Sequence, residues 1–156
     1  MSSRLPVFVC GTYSELAAER GLVLDALQQL QLEHHAMELF GARSERPIET
    51  CLEEVRQSKI VVVIVGGRYG TLVPGWQISY SEAEYREACR LNLPCLPHFQ
   101  HQSSASVAGQ PNDAALLERW KSTLATRQTP FYFTDPHKLA CFIFEFLLRV
   151  AASEEG

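Results

Sequence analysis

Glu84 is the side chain in this sequence whose type and position best fit a chemical role. It follows a glycine-rich turn at residues 66–70 and lies near the start of a predicted helix. The partial positive charge at a helix start keeps a carboxylate ionised, so Glu84 can stabilise a developing cation. Cleavage of an N-glycosidic bond at a ribose requires that chemistry, because its transition state resembles an oxocarbenium ion. The pattern Ser81-Glu82-Ala83-Glu84 also matches a capping box, in which Glu84 only accepts a hydrogen bond from the Ser81 backbone, and both interpretations stay open.

Glycine-containing turns follow two of the predicted strands, at residues 11–13 and 66–70. Backbone N–H groups of such turns, together with the Arg68 guanidinium, can hold a phosphate, although a glycine turn that only ends a strand fits equally well. Trp76 and Tyr80 are candidates to stack on a base or to pack the loop, and Glu38 is a candidate for the same crevice or for a solvated surface. The predicted substrate-binding residues are Gly11, Thr12, Tyr13, Glu38, Gly66, Gly67, Arg68, Tyr69, Trp76, Tyr80 and Ser81.

The elements that position these residues alternate between strand and helix along the chain. Short apolar runs predict strands near residues 7–10, 35–40, 60–65, 93–99 and 131–133, and helical periodicity follows each of them. The run of six β-branched residues at 60–65 is typical of a strand covered on both faces. Crossovers of this length predict an α/β three-layer sandwich with a five-stranded parallel sheet. The commonest order for such a sheet is the flavodoxin-like 2-1-3-4-5, which places a ligand crevice at the carboxyl ends of strands one and three.

Length and composition bound the organisation of the chain. The 156 residues fit a single domain at residues 1–150, with 151–156 as the start of a linker or tail. A net charge of −4 disfavours a nucleic-acid partner, and no apolar stretch reaches the roughly 20 residues of a membrane span, so we expect a cytoplasmic protein. The five cysteines are far apart, and His98 and His101 lack further ligands at a metal-binding spacing, so no metal site and no bound cofactor is predicted. Arg20, on the first helix, is predicted to pair with a surface acid.

The sequence carries a set of motifs that jointly identify a family. They are VFVCGTYSEL at residues 7–16 with Glu19 and Arg20, MELF at 37–40, GGRYG at 66–70, SYSEAEY at 79–85, and the tail at 116–150. With these motifs the chain resembles a TIR-like family of domains of unknown function, from which it departs where Cys10 and Gly11 replace two serines. The resemblance implies a TIR-like fold at the N-terminus of a larger STAND-type NTPase or repeat protein used in signalling and immunity, including anti-phage defence.

A more distant resemblance concerns Glu84. With Ala88 four residues later and Pro94 ten residues later, it is similar to a motif of nucleoside deoxyribosyltransferases, and TIR domains place their catalytic glutamate at a comparable point after the third strand. The resemblance therefore implies that Glu84 is catalytic. The residues to which it assigns a lining role are Gly11, Thr12, Arg68 and Tyr69.

These observations leave functions of different classes open. The first is an effector domain that cleaves the N-glycosidic bond of NAD or a related nucleotide, with the nucleotide as substrate. The second is a non-catalytic adaptor or oligomerisation module of a STAND-type immune or signalling protein, and the third is a sensor that binds a nucleotide without cleaving it. The expected partners are like domains, through self-association, and the C-terminal NTPase or repeat module of the parent protein.

Overall fold

Helices and strands alternate throughout the described part of the chain. The computed structural model describes residues 6–12, 16–30, 34–35, 47–101 and 111–155. The elements are β1 (Val7–Gly11), α1 (Ala17–Gln29), β2 (His34–His35), α2 (Ile48–Arg56), β3 (Ile60–Val65), α3 (Tyr80–Arg90), β4 (Cys95–Gln100), α4 (Pro111–Arg127), β5 (Phe131–Phe133) and α5 (Pro136–Glu155). Among these described elements, no helix is both long enough and apolar enough to cross a membrane.

The described strands form a parallel sheet in the order β2-β1-β3-β4-β5. Four of them have three residues or more, whereas β2 contributes only His34–His35. Every residue of β3 is buried, as expected for a strand with helices on both faces. The predicted α/β class with a parallel sheet and flanking helices is confirmed.

Alternating side chains of β3 divide the core into two layers. Ile60, Val62 and Ile64 pack against apolar residues of α1 and α5, such as Leu27 and Ile143. The intervening valines belong to a second cluster, which α2, α3 and α4 cover from the opposite face. Because strand side chains alternate between faces, one apolar run supplies both layers. Because the strands are parallel, their carboxyl ends lie along the same edge of the sheet.

Several predicted boundaries differ from the structure. The second strand was predicted at residues 35–40, but β2 is described only at His34–His35, and 36–40 lie outside the described residues. Helix α5 continues to Glu155, so residues 151–155, which we predicted to start a linker or tail, are helical. An apolar stripe that ends at Val150 does not mark the end of the helix, because polar residues and alanine can continue it. The assignment of residues 1–150 to a single domain stays a prediction.

Candidate functional site

Two loops meet at the carboxyl ends of β1 and β3. Gly11 ends β1 opposite Ile64, and a Cβ at position 11 would lie 2.6 Å from the Ile64 carbonyl oxygen. Gly70 has a φ of 100°, and a Cβ there would lie 2.7 Å from Cγ2 of Thr12. Both positions therefore require glycine, because any larger residue would clash with the facing chain. The structure thus brings together Gly11, Thr12 and the end of the 66–70 turn, as predicted for a crevice at this edge.

The start of α3 is held by Ser79, Tyr69 and Glu82. Ser79 is the N-cap, and its Oγ accepts a hydrogen bond from the Glu82 backbone N–H at 3.1 Å. The Tyr69 hydroxyl accepts from the Ser79 N–H at 3.1 Å and donates to the Glu82 carboxylate. Ser81 lies inside the helix, with its side chain buried. The interpretation of Glu84 as the capping partner of Ser81 is therefore wrong, because the capping positions are two residues earlier.

Tyr69 is a structural residue of this cap. It is 1% exposed, so a ring predicted to line the substrate lies in the core instead. Burial and the hydrogen bond to Glu82 raise the pKa of Tyr69, which keeps its hydroxyl neutral and able to donate. Arg86 also binds the Glu82 carboxylate, at 2.6 Å and 3.0 Å. Glu82 is thus buried but paired.

Glu84 lies further along α3 and is half-buried, and its carboxylate acts electrostatically on Cys10 near the end of β1. The Cys10 thiol donates its proton to the Ser81 carbonyl oxygen at 3.2 Å. Burial raises the pKa of Cys10 well above its usual value, and the nearby Glu84 carboxylate raises it further. Cys10 is therefore a neutral thiol, and the Glu84 carboxylate lies beside the residue that precedes the Gly11–Thr12 loop.

Arg20 approaches the same strand end from α1, on the opposite face of the sheet. It is 1% exposed, and its guanidinium donates to the carbonyl oxygens of Gly11 at 3.0 Å and Val9 at 3.4 Å. The predicted pairing of Arg20 with a surface acid stays a prediction, whereas Arg20 itself is buried. Its helical position indicated burial, because Arg20 lies four residues after Leu16 and so shares the apolar face of α1. The positive charge of Arg20 acts on Cys10 in the direction opposite to Glu84, lowering its pKa.

Glu19 is a second acidic residue that sequence reasoning missed. It is 7% exposed on α1, and its carboxylate accepts a hydrogen bond at 3.4 Å from Gln100, the last residue of β4. The motif Glu19-Arg20 therefore places a carboxylate at the carboxyl end of β4 and a guanidinium at the carboxyl end of β1, with β3 between them. Among the described residues, no group of three or more His, Cys, Asp or Glu side chains is placed to hold a metal ion.

The other predicted residues differ in their exposure. Trp76 is 42% exposed in the turn that the Leu72–Ser79 bridge closes, so its ring is accessible. Gly66 is buried and Gly67 is exposed, whereas Arg68 and Tyr80 are half-buried. Tyr13 and Glu38 lie outside the described residues.

The fold and the sequence place the chain in a family. It belongs to the family described as a domain of unknown function (DUF4062), whose profile matches residues 6–145. Over 152 residues it is 30% identical to telomerase protein component 1 of Mus musculus, a match that covers 86% of this chain and 5% of that protein. The Rattus norvegicus protein of the same name is 30% identical over 147 residues, covering 83% and 5%. The chain thus spans about one twentieth of the length of these curated relatives.

Among solved structures, the chain is similar to one in the crystal structure of the RPS4 and RRS1 TIR domain heterodimer. The TM-score is 0.59 at 11% sequence identity, and the match covers 94% of this chain and 97% of that chain. At this identity the similarity shows the fold alone. The chain therefore has a TIR-like fold.

Proposed function

We propose that this chain is a TIR-like effector domain that cleaves the N-glycosidic bond of NAD or a related nucleotide, with Glu84 as the catalytic residue. The observation that carries the proposal is the position of Glu84. The N-cap of α3 is Ser79, two residues before Ser81, and the Glu84 carboxylate lies close enough to Cys10, near the end of β1, to raise the pKa of that thiol. Open α/β sheets bind their ligands at this edge.

The proposed reaction follows from the chemistry of a carboxylate at an anomeric carbon. As the bond between ribose and the base nitrogen breaks, the electron pair leaves with the base and positive charge develops on the anomeric carbon and ring oxygen. Glu84 stabilises that charge or adds to the anomeric carbon, and water then completes the hydrolysis and releases a proton. Backbone N–H groups of the two loops and Arg68 hold the phosphates, while Trp76 or Tyr80 contacts the base.

The test compares turnover in matched variants. The chain, fused to an oligomerising domain, is incubated with NAD and other nucleotides beside the Glu84→Gln variant. Glu118→Gln is the control, because Glu118 is a solvent-exposed residue of α4. We expect turnover in the wild type and the control and a loss of at least tenfold in Glu84→Gln. No turnover of any nucleotide, or equal turnover in all three proteins, contradicts the proposal, and thermal stabilisation by a nucleotide without product indicates a sensor.

An alternative function is a non-catalytic adaptor or oligomerisation module of a STAND-type protein. It is favoured by large exposed apolar side chains on β5 and α5, which are Phe131 (50%), Tyr132 (56%), Phe142 (44%) and Leu148 (49%). Such side chains can bind a like domain or the C-terminal module of a parent protein. In that case the double variant Phe142→Ser/Leu148→Ser weakens self-association in sedimentation velocity, whereas Glu84→Gln does not. Unchanged association in the double variant counts against this surface.

A further inference from the structure

We propose that Glu19 and Gln100 form a subsite for the hydroxyl groups of a second ribose, so that the substrate class of the proposed reaction is a dinucleotide and not a mononucleotide. The inference deepens the proposed function and rests on it for turnover, whereas binding at the subsite is testable without turnover. It assigns a role to a buried carboxylate that the proposed reaction does not yet use.

Glu19 is a buried acid with little internal compensation. It is 7% exposed on α1, and its Oε2 accepts a hydrogen bond at 3.4 Å from Nε2 of Gln100. Within the described ranges of the chain, no other group donates a hydrogen bond to the Glu19 carboxylate or forms an ion pair with it. A carboxylate that is taken out of water requires charged or several hydrogen-bonding partners. One long bond from a neutral amide therefore leaves most of its acceptor capacity for a ligand.

The strand register places this pair of side chains beside the glycine turn. Val65 of β3 is opposite Phe99 of β4, so Gln100 is one step further along, level with Gly66 at the start of the 66–70 turn. Strand β3 lies between β1 and β4, and neighbouring strands are about 4.8 Å apart, which puts the carboxyl ends of β1 and β4 about 10 Å apart. The ends of these two strands are therefore separate positions on one continuous edge.

This arrangement fits a ligand that has two ribose rings. The proposed reaction places the ribose that is cleaved near Glu84, at the end of β1, and the phosphates at the 66–70 turn, at the end of β3. The next position along the edge is the end of β4, where Glu19 and Gln100 meet. In a dinucleotide the group beyond the phosphates is a second ribose, whose 2′- and 3′-hydroxyls donate hydrogen bonds. A carboxylate accepts such bonds, and acidic residues bind ribose hydroxyls in other open α/β sheets.

The direct test is the binding of ADP and 2′-deoxy-ADP, measured by isothermal titration calorimetry. We expect the wild-type chain to bind ADP about tenfold more tightly, because only ADP donates a 2′-hydroxyl to the charged acceptor. This ratio should fall to about one in Glu19→Ala and stay the same in Glu118→Ala, which removes an exposed carboxylate of α4. Glu19→Gln keeps the size of the side chain and should give an intermediate ratio, so it replaces Glu19→Ala if that variant does not fold. No binding of ADP, equal affinities in the wild type, or an unchanged ratio in both folded Glu19 variants overturns the proposal.

The second test is kinetic and compares NAD with nicotinamide mononucleotide, which has the bond to be cleaved but no second ribose. We expect Glu19→Gln to lower kcat/KM for NAD about fivefold, mainly through KM, and to change that for the mononucleotide less than about twofold. Glu118→Gln should change neither value. Equal losses for both substrates indicate a structural role of Glu19 and overturn the proposal. Absence of turnover in the wild type contradicts the proposed function, and the ADP titration then decides the subsite.

Discussion

Replacing Tyr69 with phenylalanine removes one buried hydroxyl from the start of α3, and we expect it to destabilise the fold strongly. That hydroxyl donates to the Glu82 carboxylate and accepts from the Ser79 N–H at 3.1 Å. Loss of a hydrogen bond to a charged group costs about 1.5–3 kcal/mol, and an unsatisfied buried N–H adds about 1 kcal/mol. Arg86 still neutralises Glu82 in the variant, which favours the lower end. The free energy of unfolding should therefore fall by about 2.5–3 kcal/mol, a large part of the roughly 5–15 kcal/mol typical of a domain.

The measurement is equilibrium unfolding in urea, followed by far-UV circular dichroism. A shift in midpoint at unchanged slope reports a change in stability alone. Tyr132→Phe is the matched control, because Tyr132 is 56% exposed on β5, and it should change the free energy of unfolding by less than about 0.5 kcal/mol. A double-mutant cycle with Glu82→Gln should give a coupling of about 1 kcal/mol or more. If Tyr69→Phe were no more destabilising than Tyr132→Phe, the cap described above would be refuted.

Two further predictions concern buried polar groups. Burial lowers the pKa of His98 to about 4, so as pH falls below about 6.5 the unfolded chain binds a proton before the folded one. The free energy of unfolding, measured in urea, should therefore fall by up to about 1.4 kcal/mol per pH unit between pH 6.5 and 4. The variant His98→Gln should lose this pH dependence, whereas the control His137→Gln, at an exposed position, should keep it. Arg20→Met should lower the free energy of unfolding by about 2–4 kcal/mol, because two β1 carbonyl oxygens lose a charged donor, while the exposed Arg119→Met stays within about 0.5 kcal/mol.

The sequence predicts the strands better than the start of α3. The third strand has its predicted bounds at residues 60–65. A strand that is buried on both faces requires apolar side chains at every position, and this produces a continuous apolar run in the sequence. At α3 two Ser-x-x-Glu patterns overlap two residues apart, one at Ser79 and Glu82 and one at Ser81 and Glu84. Local propensity cannot choose between them, since both satisfy the same capping rule. The choice depends on Tyr69, a tertiary partner ten residues before the N-cap.

Arg20 shows a similar limit in the prediction of the candidate site. Its charge predicted a surface position, yet its place on the apolar face of α1 required burial, and the two rules conflict. The conflict is resolved by the carbonyl oxygens of Val9 and Gly11, which the end of β1 supplies as buried acceptors. A charged residue on an apolar stripe therefore indicates a polar contact in the folded protein, whose partner the sequence does not identify.

Glu82 and Glu84 point in different directions from α3, so the Glu84→Gln turnover test can be interpreted separately from the stability of the helix start. Consecutive helical residues are about 100° apart, so the two carboxylates leave α3 about 200° apart and face different surroundings. Glu82 faces Tyr69 and Arg86 and belongs to the cap, whereas Glu84 faces Cys10 at the end of β1. Because the N-cap hydrogen bonds described here join Ser79, Glu82 and Tyr69, we expect the replacement of Glu84 by glutamine to leave the start of the helix in place. A loss of activity in that variant would then report on the chemistry of one carboxylate, and not on the unravelling of the helix that carries it.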